Sequence, residues 1–222
     1  MAAFPFFIEL KGKKCVVVGG GKVASRKIEI LSKFNGDIVV ISPEISDEIK
    51  VLKDSGKLVH INRCYQSSDI MGAFMVIAAT SDTLVNDNIY TDAVNHGILV
   101  NVVDDPQRCT FLFPAIVKRN DLVIGISTSG SYPTLSKKIR KKVDSMVNSN
   151  INEDVMSLLK EFRKKVIHEI EDNSLKAEIL DRVIEEVVFT DHPIDIEHFR
   201  EKMNGILQNF KNQKNEKHCT NN

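Results

Sequence analysis

The 222-residue sequence contains no apolar run approaching the ~20 residues that a membrane-spanning helix needs. Met1 to Leu10 lacks the charged start and long apolar centre of a secretory signal. Both absences point to a protein of the cytoplasm that engages no membrane. Net charge is missing too: 30 basic residues balance 30 acidic ones, which argues against a general nucleic-acid binder. The four cysteines, Cys15, Cys64, Cys109 and Cys219, share no paired spacing, so neither a disulfide framework nor a zinc site is expected. Three of them sit in or beside apolar segments, which suits reduced, mostly packed thiols. There is no internal repeat, and low complexity is confined to the polar stretch Asn212 to Asn222.

What is present is a 42% hydrophobic chain, ordinary for a globular protein with a real core. Apolar runs at Cys15 to Val18, Ile38 to Ile41, Leu58 to Ile61, Phe74 to Ala79 and Ile98 to Val103 are short and barely alternate, as strands buried on both faces should be. Helical periodicity lies between them. Val23, Ala24, Ile28, Leu31 and Phe34 form one apolar face, closed at Asn35-Gly36; Val85, Ile89, Ala93 and Val94 form another, closed at Gly97. The alternation predicts an α/β fold with a parallel sheet over residues 1–112. Two further runs, Phe111 to Val117 and Leu122 to Ser127, flank the turn-like Lys118-Arg119-Asn120-Asp121 and predict a hairpin, with Pro114 marking an edge or bulged strand. A helix from about Pro133 to Val147 completes a small α+β segment, residues 113–148. Helices near 152–171, 174–189 and 195–210 predict a C-terminal helical domain, residues 149–211, before a flexible tail at 212–222.

The stretch Gly19-Gly20-Gly21-Lys22-Val23-Ala24 follows the first strand and opens the first helix. It fails as a triphosphate-binding loop, because Val23 follows Gly21-Lys22 where a hydroxyl is needed and Val16 stands where the leading glycine should be. It fits G-x-G-x-x-A, in which Gly19 permits a tight turn, Gly21 lets a pyrophosphate reach the backbone, and Ala24 lets helix pack on strand. The alternative is a glycine-rich turn that merely spares strain. The second strand ends Ile41-Ser42-Pro43-Glu44 with no acid directly at its end, so either Ser42 or Glu44 serves the ribose hydroxyls. No arginine waits there for a 2′-phosphate, which favours NAD over NADP.

Ligands of open parallel sheets gather beyond the carboxyl ends of the strands. Thr80 or Ser81 is placed to touch the nicotinamide half; Ser81 or Asp82 as a helix N-cap is the competing and compatible reading. Asp104-Asp105 is the only paired acid at a strand end. A carboxylate there is suited to take a proton as hydride leaves, while a turn-forming Asp before Pro106 is the alternative. Alternation along an extended strand lets only one of the two face the cleft. Residues 113–150 hold seven basic and two acidic side chains, against 12 and 13 in residues 1–112. Asp191-His192 and Asp195 to His198 straddle Pro193 and a helix start, a poor geometry for a metal, and His96 and His168 read as ordinary helix residues.

Taken in order, F-x-x-L-K-G-K at Phe7 to Lys13, V-V-G-G-G-K-V-A-x-R-K ending at Lys27, A-A-T at Ala78 to Thr80 with Asn86 beyond, N-V-V-D at Asn101 to Asp104 and S-T-S-G-S-Y-P at Ser127 to Pro133 resemble the siroheme synthase family. The similarity is to its precorrin-2 dehydrogenase region and covers about residues 4–190. It implies a Rossmann-type domain that uses NAD to oxidise precorrin-2 to sirohydrochlorin, with insertion of ferrous iron as substrate an additional activity in some members. A non-catalytic NAD-sensing module is the rival from another class. The resemblance assigns catalysis to Asp104, NAD contacts to Lys22, Val23, Pro43 and Glu44, and dimerisation to the middle segment, so a homodimer is expected. A flat polycarboxylate substrate suits the cationic segment: Ser127, Thr128, Ser129, Gly130 and Ser131 lead into a helix N-terminus and Lys137 follows. Tyr132 and Ser129 depart from the family, which usually has serine and glycine there. Thr128 aligns with a serine phosphorylated in a related enzyme.

Overall fold

The computed structural model describes residues 3–148, 151–188 and 195–219, and they fall into two compact units. The first comprises the chain up to Phe113 together with Ser129–Ser131; the second comprises Pro114–Thr128 and the chain from Tyr132 onward.

Five strands, β1 (Lys14–Val18), β2 (Asp37–Ile41), β3 (Leu58–Ile61), β4 (Met75–Ala78) and β5 (Leu99–Val102), form one parallel sheet in the order β3-β2-β1-β4-β5. Val16, Val17, Val40, Val76 and Ile77 are wholly buried because both faces of the sheet are covered, which is why these strands do not alternate. Helix α1 (Lys22–Ser32) buries Ala24, Ile28 and Leu31 on one side; α2 (Asp47–Asp54) buries Ile49 with them, and α3 (Thr83–Asn95) packs Ile89 and Ala93 into the other layer. After α1 the left-handed residue is Asn35, at φ 55°, not Gly36. Gly36 is needed for space, since a Cβ there would sit 3.2 Å from Cys15 Sγ. Cys15 is fully buried, and burial pushes its thiol up to about 11. The expectation of packed thiols fails at Cys64, which is exposed. The strand order reverses between β1 and β4, the switch point where doubly wound sheets place ligands.

In the second unit, β6 (Ala115–Arg119) pairs antiparallel with β7 (Leu122–Ile126) across a two-residue turn, with Asn120 left-handed. Pro114 lies just outside the strand, so no bulge is required. Helix α4 (Pro133–Asn148) packs on the hairpin, tied by an ion pair from Arg119 of β6 to Asp144, which Arg140 on the same helix also contacts. The helices α5 (Glu153–Glu169), α6 (Asn173–Val183, continued as a π-helical turn Ile184–Val188) and α7 (Ile196–Cys219) share a core built from Val155, Phe162, Ile179, Phe199, Met203 and Phe210. Asn152 and Asp172 cap α5 and α6, accepting backbone N–H bonds at 2.8–3.0 Å. Helix α7 runs through most of the expected tail from Asn212. Low hydrophobicity after Phe210 removes a buried face, but no glycine or proline follows to stop the helix. Among the described residues no helix is long and apolar enough to cross a membrane.

Candidate active site

The three glycines after β1 do three different things. Gly19 adopts φ 117°, and a Cβ there would overlap the Ala79 carbonyl oxygen at the end of β4. A Cβ on Gly20 would overlap the Glu44 carbonyl oxygen beyond β2, and the Gly20 carbonyl accepts a 2.8 Å bond from the Ser46 N–H. Gly21 is the N-cap of α1 and is exposed, and a methyl group added to it would meet nothing within 4 Å. No side chain caps this helix and no acid occupies its first turn. Its free N–H groups therefore present partial positive charge over bare backbone, flanked by the exposed side chains of Lys22 and Val23, as a pyrophosphate requires. Ala24 is fully buried against the sheet.

At the end of β2, Ser42 is buried at 8% exposure, and its hydroxyl donates to the Glu44 carbonyl at 2.6 Å. The His60 Nε2–H donates to the Ser42 carbonyl at 2.9 Å. Ser42 thus shapes the turn, while Pro43 and the Glu44 carboxylate stand exposed beside a cavity of about 470 Å³. At the end of β4 the Thr80 hydroxyl donates to Asn86 Oδ1 at 2.8 Å and Asn86 Nδ2 donates back to the Thr80 carbonyl at 3.1 Å. Asn86 is buried, so this clamp fixes the β4 loop. Asp82, not Ser81, caps α3, accepting from Leu84 and Val85 N–H.

The two acids after β5 are separated by a turn rather than by strand alternation. The strand stops at Val102, and Asp104 takes a left-handed φ of 62° that leaves its side chain exposed. Asp105 caps the 3₁₀ turn Pro106–Arg108, accepting from Gln107 N–H at 3.2 Å and lying 3.4 Å from Arg108 Nε. Arg108 also pairs with Asp87. The Asp104 carboxylate has no hydrogen bond or ion pair among the described residues, whereas Asp105 is spent on structure. Beneath this turn, buried Asn101 donates to the Phe111 carbonyl at 3.0 Å and draws the chain back along β5.

The hydroxyl loop is divided between the units. Ser129, Gly130 and Ser131 belong to the first, where a Cβ on Gly130 would lie 3.8 Å from Pro106 and Ser129 Oγ accepts a 3.1 Å bond from Ala3 N–H. This brings them to the turn that carries Asp104. Ser127, Thr128 and Lys137 belong to the second. There Thr128 Oγ1 lies 3.1 Å from buried Ser136 Oγ and accepts from Tyr132 N–H, while Lys137 is exposed.

Residues 6–115 match the family model described as "Putative NAD(P)-binding". The chain is 40% identical over 166 residues to a siroheme synthase of Psychrobacter cryohalolentis, a match covering 75% of this chain and 32% of that protein. It is 38% identical over 172 residues to a siroheme synthase of Blochmanniella floridana, covering 78% and 37% respectively. The solved structure titled "SirC, precorrin-2 dehydrogenase" is similar at a TM-score of 0.70 and 26% identity, covering 95% of this chain and 100% of that one. The chain belongs to the siroheme synthase family.

It spans about a third of the length of the siroheme synthases it matches. Within this family member, no group of histidine, cysteine and acidic residues able to hold a metal occurs among the described residues. Asp191 and His192 lie outside them; Asp195 immediately precedes α7, and Ile196 to His198 open it. His168 lies in the last turn of α5, whereas His96 is the C-cap residue just past α3, its Nδ1–H donating to the Asp92 carbonyl at 2.7 Å.

One residue of the site escapes sequence reasoning. Lys27, half-buried on α1, holds its ammonium 4.0 Å from the centroid of the Phe113 ring. Burial lowers its pKa, and the neighbouring Cys109 and Asp104 oppose that shift. Its signal is faint: Lys27 sits three residues after Ala24 and four after Val23, on the flank of the helix's buried face, in a chain where most lysines are solvated.

Proposed function

We propose that this chain oxidises precorrin-2 to sirohydrochlorin with NAD as the electron acceptor. The observation that carries the reading is the pairing of an open, uncapped helix N-terminus at Gly21 with an uncommitted carboxylate, Asp104, at the end of β5 in the same sheet. The residues fit the dinucleotide. Gly19, Gly20 and Gly21 keep side chains away from the pyrophosphate, and the N–H groups of Lys22 and Val23 receive it. Glu44 accepts the ribose hydroxyls, since Ser42 is already occupied; its negative charge would repel a 2′-phosphate and so selects NAD over NADP. Pro43 borders the adenosine, and the Thr80–Asn86 clamp holds the β4 loop in shape for the nicotinamide half. Bound NAD supplies a two-electron acceptor for hydride. Asp104 takes the proton released from the macrocycle as the hydride departs, a contribution typically worth about 10² to 10⁴ in rate. Ser127, Thr128, Ser129, Gly130, Ser131 and Lys137 hold substrate carboxylates through hydroxyls, backbone N–H groups and charge.

A second reading adds ferrous iron, as substrate, to sirohydrochlorin. It is favoured by the same uncommitted Asp104, which suits removal of pyrrole protons when metal enters the ring. The site works in the cytoplasm as part of a homodimer. Tyr132, just before α4, and Leu135 and Ile139 on it leave an exposed apolar stripe that a second copy would cover.

Anaerobic incubation with precorrin-2 and NAD, following the macrocycle spectrum and NADH together, tests the reading. Stoichiometric NADH and sirohydrochlorin are expected, and Asp104→Ala should keep NAD affinity while losing at least ~100-fold in turnover. NAD binding without any macrocycle oxidation by the wild type would leave the sensing module as the better account. Siroheme formed from sirohydrochlorin and ferrous iron without NAD, above the spontaneous rate, would establish the second activity.

A further inference from the structure

We propose that the Cys109 thiol positions Asp104 by hydrogen-bonding the backbone on both sides of it, a role that rests on the dehydrogenase reading above. Among the described residues the Asp104 carboxylate forms no hydrogen bond or ion pair, so the backbone beneath it sets where it stands. That backbone is strained. Asp104 holds φ 62°, in the left-handed region that favours glycine and asparagine, and the bond closing its turn, from Asp105 N–H to the Val102 carbonyl, is long at 3.3 Å. Such a conformation persists only where its surroundings hold it. Val103 N–H secures the first half of the turn on the Ala78 carbonyl at 2.9 Å. The second half is held by sulfur. Cys109 Sγ lies 3.3 Å from the Val102 carbonyl oxygen and 3.2 Å from that of Asp105, so its S–H proton has an acceptor on each flank of Asp104.

The thiol is itself aimed. Buried Asn101 donates from Nδ2 to Cys109 Sγ at 3.4 Å and to the Phe111 carbonyl at 3.0 Å, and an antiparallel bridge joins Asn101 to Cys109. Burial raises the Cys109 pKa, so sulfur keeps the proton it donates. Both carbonyls retain a backbone partner without the thiol: Asp105 N–H on Val102, and Arg108 N–H on Asp105 at 3.2 Å. Loss of the S–H therefore orphans neither acceptor, and its effect falls on the placing of the turn more than on the stability of the sheet.

Cys109→Ala removes the donor; Cys109→Ser keeps a proton to donate at nearly the same point. Each is made in the wild-type chain and beside Asp104→Ala, and read for NAD affinity, thermal melting, and kcat and KM with precorrin-2. Cys109→Ala should keep the NAD affinity and KM of wild type and lose on the order of tenfold in kcat, because a displaced proton acceptor is felt in the reaction and not in binding. Cys109→Ser should turn over faster than Cys109→Ala. Beside Asp104→Ala, the Cys109→Ala change should alter kcat by less than about twofold, since nothing is left to position. Wild-type kcat in Cys109→Ala would overturn the role. So would a serine variant no faster than the alanine one, or the same fold-loss in both backgrounds, which would mark a general structural effect. Should Cys109→Ala fold poorly, Cys109→Val, which fills the space without a donor, is read by the same comparisons; failure of both to fold would make Cys109 a core residue and end the positioning role. An inactive wild type removes the dehydrogenase reading and this role with it; an active wild type with an unimpaired Cys109→Ala removes this role only.

Discussion

Neighbouring glycines that look interchangeable in the sequence carry opposite physical burdens. A methyl group at Gly20 collides with backbone at Glu44, whereas at Gly21 it meets nothing. Gly20→Ala should therefore destabilise the fold by about 3 kcal/mol, because two backbone segments must part. Gly21→Ala should cost about 1 kcal/mol or less, since φ −85° suits any residue, yet weaken NAD by about tenfold or more by filling the approach to the pyrophosphate. Urea unfolding read beside nucleotide titration separates the two. Equal losses of stability would show that the motif is steric relief throughout. The G-x-G-x-x-A spacing made Gly19, Gly21 and Ala24 legible in advance. The burden on Gly20 was not, because it is set by Glu44, whose carbonyl reaches it only once β2 lies beside β1. Asp104 and Asp105 teach the same lesson: composition offers two equal acids, and only the left-handed turn decides which is spent on a cap.

Among the elements, strands and major helices of the sheet were readable because burial on both faces writes itself as unbroken apolar runs. The link from β3 to β4 was not, since it holds no helical period. It is a 3₁₀ turn, Ser67–Ile70, clipped by a bidentate pair: Arg63 Nη1 and Nη2 donate to Asp69 at 2.8 and 2.5 Å, with the Gln66 N–H adding a 2.8 Å bond. The Arg63 guanidinium holds the Asp69 carboxyl below its ordinary range. A depressed folded pKa gives stability that is fully present above the unfolded value of about 3.9 and is lost as pH falls through the folded one. Asp69→Ala should cost about 2 kcal/mol at pH 7 and flatten the acid limb of the stability curve below about pH 4. Urea midpoints measured from pH 7 down to pH 3 check this; an acid limb identical in the variant would assign the pH dependence elsewhere.

For the whole molecule, zero net charge conceals a cationic middle segment, which is why overall composition argues against a general nucleic-acid binder yet does not mark where the proposed anionic substrate would sit. The apolar stripe of Tyr132, Leu135 and Ile139 was equally hidden, because only the structure shows these side chains left exposed. Replacing Leu135 and Ile139 together by Glu should convert the proposed homodimer to a monomer in light scattering, with circular dichroism unchanged. Persistence of the dimer would move the interface off this helix.

The middle of the chain gives three residues, Ser129–Ser131, to the first unit and returns at Tyr132. No single scissile point therefore divides the two units cleanly. A fragment cut after Phe113 would lose the Ala3 to Ser129 tether and the neighbour of Pro106, so it would keep the glycine loop but leave the turn that carries Asp104 unbuttressed.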